Sequence, residues 1–258
     1  MNNWNLIIPP SRPSERQLEL LKELTACIDR RLNVAILGST IEFRDLLYEL
    51  NFQNIYVFER NEDFYNLSKK QRIYNNEEIF VQGDWLETLE KYPNHFALIV
   101  SDLTSGNISY IHRKKFYLDI ENALLNEGHF FDKVLTHSNN FLSIDKLLNK
   151  YKTLPLNLVT INYFNCEMLF CSELLMEKEI VNTDYFFRKL ESLTTNQRIL
   201  RLIELVKLIT PPGFIWFYGK HWIELQSDYC KNLIKISEYE DEIQSPYYGF
   251  LKFFHFKK

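Results

Sequence analysis

Four short segments place a carboxylate or a glycine where a run of apolar residues ends. They are Gly38-Ser39-Thr40-Ile41-Glu42, Glu59-Arg60, Gly83-Asp84-Trp85 and Ser101-Asp102-Leu103. Carboxylates gathered at one rim repel one another unless a ligand or hydrogen bonds offset the repulsion, so the pattern points to function. Together they could hold an adenosine-bearing ligand. Glu59 stands 21 residues after Gly38, close to the spacing at which an acid ending a second strand accepts hydrogen bonds from both ribose hydroxyls. Asp84 could accept the adenine exocyclic amine, with Trp85 offering an apolar face beside the ring. Gly38 lets the backbone turn tightly against the ligand. Each residue also has a plain reading as a rim charge or a Gly-Asp turn; it is their order along the chain that favours a ligand.

Glycine is scarce, at 7 of 258 residues. LGSTIEF carries one glycine where a dinucleotide fingerprint carries three, and no Walker lysine follows it. A pyrophosphate needs close approach of several backbone N–H groups, and Glu42 opposes an anion at the adjacent helix start. NAD and FAD are therefore disfavoured, and a cofactor without phosphates is compatible. Candidates for a general base are Asp102, His137 and His112, which fall at or near strand ends. The four cysteines, Cys27, Cys166, Cys171 and Cys230, show neither C-x-x-C nor zinc spacing. They read as free, buried thiols of a reducing compartment, and no metal site is expected.

The elements that must position these groups are short apolar runs alternating with helical stretches. The runs are 34–37, 54–59, 78–82, 96–101 and 128–135; helices are expected over 41–50, about 63–74 and about 113–125. Such alternation describes βαβ units and a parallel sheet buried on both faces. Ser14 with Gln17 forms a capping-box pattern opening a helix after the Pro-rich arm. From about 139 the alternation fails. Residues 144–151, 185–190 and 197–209 read as helical, and 158–175 is ambiguous between a hairpin and a helix. Alternation resumes with 213–217, a short helix over 222–230, and strands at 233–239 and 249–256. The expected organisation is an arm and helix at 1–31, an α/β domain at 32–138 and 211–258, and a mostly helical insertion at 139–210 that could form a substrate lid.

VAILGSTIEFRDLLYE, then VFERNEDF, FVQGDWLE and FALIVSDLTSGNI, resemble the successive motifs of class I S-adenosylmethionine-dependent methyltransferases. More narrowly they resemble bacterial members with an LGxTxExRDLL first motif and a GDW third motif. The resemblance covers about 10–137 and 211–258, and implies a Rossmann-like sheet with helices on both faces and S-adenosylmethionine as cofactor. It would place Gly38, Ser39 and Thr40 at the methionine moiety, Glu59 at the ribose, and Asp84 with Trp85 at the adenine, with Arg60 also among the cofactor-binding residues. Ser101 and Asp102 would lie by the sulfonium and the substrate, and Arg12 would meet the cofactor carboxylate. The insertion matches nothing in the resemblance, so the acceptor is not implied by it.

Apolar content of 46% and charged content of 25% exclude wholesale disorder. A net charge of −4 gives no basic field for nucleic acid. No apolar stretch is long enough to span a bilayer, and no signal peptide is evident. The expectation is a cytoplasmic enzyme, with homodimerisation left open, acting on a small-molecule or peptide-like acceptor. A catalytically weak protein of the same fold, acting as a cofactor-binding partner or regulatory subunit, is the competing reading. The aromatics Tyr163, Phe164, Phe170, Tyr185, Phe186 and Phe187, with Trp216, Phe217 and Tyr218, either close a lid over the site or pack the insertion onto the core.

Overall fold

The computed structural model describes residues 6–8, 11–135, 142–174, 180–217, 230–240 and 251–258. Its centre is a seven-stranded sheet. Five strands, β1 (Asn33–Leu37), β2 (Asn54–Glu59), β3 (Ile79–Gln82), β4 (Phe96–Asp102) and β5 (Leu124–Leu135), run parallel. Two more, named β8 (Ile234–Glu240) and β9 (Leu251–Lys257) in chain order, complete it in the spatial order β3-β2-β1-β4-β5-β9-β8. β9 lies antiparallel to both of its neighbours. The α/β expectation holds.

The central strands are apolar along their whole length because both faces are covered. Val34 to Leu37 of β1 and Phe96 to Val100 of β4 are all buried, which is why these runs do not alternate. One face packs Ala35, Leu37 and Ile99 against α5 (Tyr110–Ala123) through Phe116, Tyr117 and Ile120. The other packs Val34, Ile36 and Val100 against α1 (Glu15–Leu24) and α2 (Ile41–Glu49) through Leu21, Phe43 and Leu47.

Local signals set the helix starts. Ser14 caps α1, accepting from Gln17 N at 3.3 Å while Gln17 Oε1 accepts from Ser14 N at 3.3 Å. This is the capping box expected from the sequence, and Ser14→Ala should lower stability by about 1 kcal/mol in chemical denaturation. Asn61 caps α3 (Glu62–Lys69), and Asp84 caps the single turn α4 (Trp85–Thr88).

Arg44 and Asp45, in the FRDLL stretch of the first motif, have structural work. Arg44 is fully buried, ion-pairs with Glu78 and donates to Ser68 Oγ at 2.6 Å. Arg72 reaches Glu78 and Asp45, each at 2.8 Å. The network ties α2 to the segment that leads from α3 into β3, so that β2 and β3 end at the same rim.

The described residues between 142 and 217 gather around a further core cluster, which Leu135 of β5 and Leu251 of β9 join. They comprise α6 (Ile144–Tyr151), α7 (Leu158–Phe170), β6 (Ile180–Asn182), α8 (Thr183–Leu193), α9 (Gln197–Val206) and β7 (Ile215–Phe217). Leu147, Phe164, Phe186, Leu190, Leu202 and Ile203 are completely buried together. Two readings of the sequence change here. The ambiguous stretch is the helix α7, buried almost all round. The apolar run near 215 does not rejoin the main sheet; β7 pairs antiparallel with β6. The helix expected over 222–230 falls mostly outside the described residues.

Candidate active site

The strand order reverses between β1 and β4, and a ligand crevice in such sheets lies beyond the carboxyl ends of those strands. Gly38 begins the turn out of β1 with φ +95°, a region that a side chain disfavours. The nearest atom a Cβ there would meet is Thr104 Oγ1 at 4.0 Å, an ordinary van der Waals contact, so the backbone angle and not crowding is what favours glycine. Thr104 in turn donates to Leu37 O at 2.8 Å, fastening the loop after β4 to the end of β1.

The acid at the end of β2 faces the same turn. Glu59 accepts from Ser39 Oγ at 3.4 Å and from Asn61 N at 2.9 Å. Burial raises its carboxyl above the usual range, opposed by those two donors. Asp84 is partly committed to capping, accepting from Leu86 N at 3.0 Å through Oδ1. Its Oδ2 lies 4.0 Å from Arg60, whose side chain is 80% exposed. Arg60 thus forms a surface pair, worth little energetically. Trp85 is fixed by its indole N–H, which donates to Phe58 O at 3.1 Å, immediately before Glu59.

The register between β4 and β5 builds the opposite wall. Ser101 stands beside Asp132, and Asp102 beside Lys133. Residues in register share a face, so each pair is in contact. Ser101 Oγ donates to Asp132 Oδ1 at 2.5 Å, joined by Tyr117 Oη to Oδ2 at 2.8 Å. Lys133 Nζ lies 2.9 Å from Asp102 Oδ1, with side chains 0% and 5% exposed. Thr40 Oγ1 donates to Asp102 Oδ2 at 3.2 Å, linking the first loop to the fourth strand. Leu103 follows with φ 57°, a left-handed conformation that costs about 1–2 kcal/mol for a residue with a side chain.

Asp132 is fully buried, and burial pushes its carboxyl up to about 6 despite the Ser101, Tyr117 and Ser105 hydroxyls. A carboxyl raised in the folded state holds a proton there that the unfolded chain has released. Its contribution is complete below about pH 4 and lost as pH rises to about 6. Measured against Asp132→Asn, the wild type should lose about 2–3 kcal/mol of stability over that interval. A flat difference across it would show that Asp132 is ionised throughout.

The remaining expected residues fall as follows. Arg12 ion-pairs with Glu42, whose carboxyl burial raises despite the arginine. The arm thereby docks on the first turn of α2. His112 is exposed on α5 and does not line the cavity beyond Asp102, so it is not placed as a base. His137 lies outside the described residues. Cys166, Cys171 and Cys230 are buried as expected, whereas Cys27 is exposed. Phe164, Phe186 and Phe187 are buried in the insertion's core cluster, whereas Phe170 and Trp216 line a cavity.

Beyond Asp102 a cavity of about 210 Å³ opens between the sheet rim and the insertion. Leu103 and Leu135 line it from the sheet, Asn165, Leu169 and Phe170 from α7, and Phe214 and Trp216 from the approach to and the strand β7. Ile7 of the arm also reaches it. The arm is held there by Asn162, which donates to Leu6 O at 2.8 Å and accepts from Ile8 N at 3.3 Å. Sequence reasoning missed Asp132, Lys133 and Asn165. The signal for the first two was present, a charged pair inside the apolar run HFFDKVL; nothing local marked Asn165.

No family model matches the chain, and no curated protein matches it in sequence. Solved structures do. A Rhodobacter sphaeroides protein described as a zinc-dependent alcohol dehydrogenase aligns with a TM-score of 0.60 at 13% identity, over 99% of this chain and 94% of that one. The N-methyltransferase NodS from Bradyrhizobium japonicum, in complex with S-adenosylhomocysteine, aligns with a TM-score of 0.52 at 9% identity, over 99% and 91%. The strand order agrees with the second of these alignments. The chain has the class I methyltransferase fold. A further solved structure that aligns is the 1,6-didemethyltoxoflavin-N1-methyltransferase of Burkholderia thailandensis, with bound 1,6-didemethyltoxoflavin and S-adenosylhomocysteine. It aligns with a TM-score of 0.52 at 8% identity, over 95% of this chain and 77% of that one. Among the described residues, no three or more His, Cys, Asp or Glu side chains are placed to hold a metal ion. No described helix is long and apolar enough to cross a membrane.

Proposed function

We propose that the protein is an S-adenosylmethionine-dependent methyltransferase acting on a small molecule. The observation that carries the reading is the left-handed turn at Gly38, whose next two residues reach Glu59 through Ser39 and Asp102 through Thr40. A loop with one glycine and a rim of carboxylates suits a cationic cofactor and repels a pyrophosphate. When bound, S-adenosylmethionine supplies a methyl group on a positively charged sulfur.

The protein's own part is chiefly alignment. Glu59 has acceptor capacity left for a ribose diol beyond its contacts with Ser39 and Asn61. Asp84 and the indole of Trp85 stand at the end of the neighbouring strand for the adenine. Arg12, already neutralising Glu42, would meet the cofactor carboxylate. Asp102, at the mouth of the cavity, orients the acceptor and takes the proton of a neutral nucleophile, directly or through water.

The pairing of Asp102 with both Lys133 and Thr40 supports a second reading, in which the protein binds cofactor without turnover. Incubation with methyl-labelled S-adenosylmethionine and a panel of small heteroaromatic acceptors separates the two. Label in an acceptor with equimolar S-adenosylhomocysteine supports the enzyme. Binding of S-adenosylhomocysteine with no transfer to any acceptor supports the second reading.

A further inference from the structure

The cavity beyond Asp102 has a composition that restricts what enters it. Its walls are largely apolar, with Phe170 and Trp216 rings 6.2 Å apart and Phe214 stacked on Trp216 at 5.5 Å. Among its described lining residues Asp102 is the single charged group, and Lys133 balances that charge from within the sheet. Neither an ammonium nor a carboxylate on a ligand would find an uncompensated partner. The volume of about 210 Å³ admits one or two fused rings.

Asn165 adds one polar demand. The residue is 5% exposed and lines the cavity, and its Oδ1 has no hydrogen-bond partner. A buried amide oxygen left unpaired costs about 1–3 kcal/mol, and such groups call for an explanation. An apolar side chain of similar size would pack there without that cost.

We infer that this cavity is the acceptor site, and that it takes a neutral, flat one- or two-ring molecule whose N–H or O–H donates to Asn165 Oδ1, the buried amide turning its oxygen toward the cavity as the ligand enters. This rests on the methyl-transfer reading and narrows it, replacing a small-molecule or peptide-like acceptor by a neutral ring compound. The ring lies between the aromatic wall and Leu103, with its donor toward α7 and a second edge toward Asp102 and the crevice.

The test titrates indole, benzofuran, tryptamine and indole-3-acetate into the full-length protein, with and without saturating S-adenosylhomocysteine. Benzofuran has the shape of indole without the donor; the other two add a charge of either sign. Indole should bind at least about tenfold more tightly than each of the others, the loss expected when a buried polar group goes unpaired. Asn165→Leu should bind indole and benzofuran equally, and should melt no lower than the wild type. Ile209→Trp, at a partly exposed position of the lining, should fill the cavity and abolish indole binding while S-adenosylhomocysteine affinity holds. Equal binding of indole and benzofuran by the wild type, preference for a charged probe, or a clear loss of stability in Asn165→Leu would overturn the proposal. Should the indole pattern appear without any binding of S-adenosylhomocysteine, the pocket stands and the methyl-transfer reading fails. The converse result removes the pocket alone.

Discussion

Glu59→Ala should weaken S-adenosylhomocysteine binding by at least tenfold in calorimetric titration. Hydrogen bonds to an ionised carboxylate contribute about 1.5–3 kcal/mol, and losing that much corresponds to roughly a ten- to hundredfold change in affinity. The carboxylate is held for the purpose, with Asn61 N on one oxygen and Ser39 Oγ on the other. Burial raises its pKa, so the folded protein is more stable with the carboxyl neutral than with it charged. Glu59→Gln should therefore fold as well as the wild type at pH 7 while still binding more weakly. For the same reason, cofactor affinity of the wild type should fall as pH drops through the raised Glu59 value, because the ribose diol needs the ionised form as acceptor. Unchanged affinity in both variants would remove Glu59, and with it the cofactor assignment of the crevice.

Lys133→Met should be the most destabilising single change in the site. It leaves the Asp102 carboxylate buried without its cation, and breaking one side of a buried pair costs about 3–5 kcal/mol. For a chain of this size that lowers the melting temperature by about 10 °C. Adding Asp102→Asn to Lys133→Met removes the stranded charge and should recover most of the loss, since the double variant retains an acceptor for Thr40 Oγ1. A double-mutant cycle in urea measures this coupling directly. Additive losses would mean that the two side chains do not depend on one another, and the claim that the cavity presents no net charge would then fail.

The legible part of the site was the part encoded locally. An apolar run followed by a polar residue marks where a buried parallel strand emerges, so Gly38, Glu59, Asp84 and Asp102 could be read as rim residues before their neighbours were known. The structure places them at the ends of four adjacent strands. Ser14 and Gln17 were legible for the same reason, being three residues apart on one turn. What escaped depends on register or on packing between distant segments. Asp132 and Lys133 sit in adjacent positions of one strand, and only the pairing of β5 with β4 assigns one to Ser101 and the other to Asp102. The helix α7 hid because it is buried almost all round, which removes the apolar stripe that marks a helix at a surface. The strand β7 hid because a short apolar run carries no label for its partner; its partner is β6, not the main sheet. Asn165 could be noticed only once α7 was known to face the sheet rim.

Titration of S-adenosylhomocysteine and of NAD into the wild-type protein tests the central claim most directly. The single-glycine turn at Gly38 with its rim of carboxylates predicts saturable, one-to-one binding of S-adenosylhomocysteine in the micromolar range and no detectable binding of NAD. Absence of S-adenosylhomocysteine binding, or tighter binding of NAD, would contradict it.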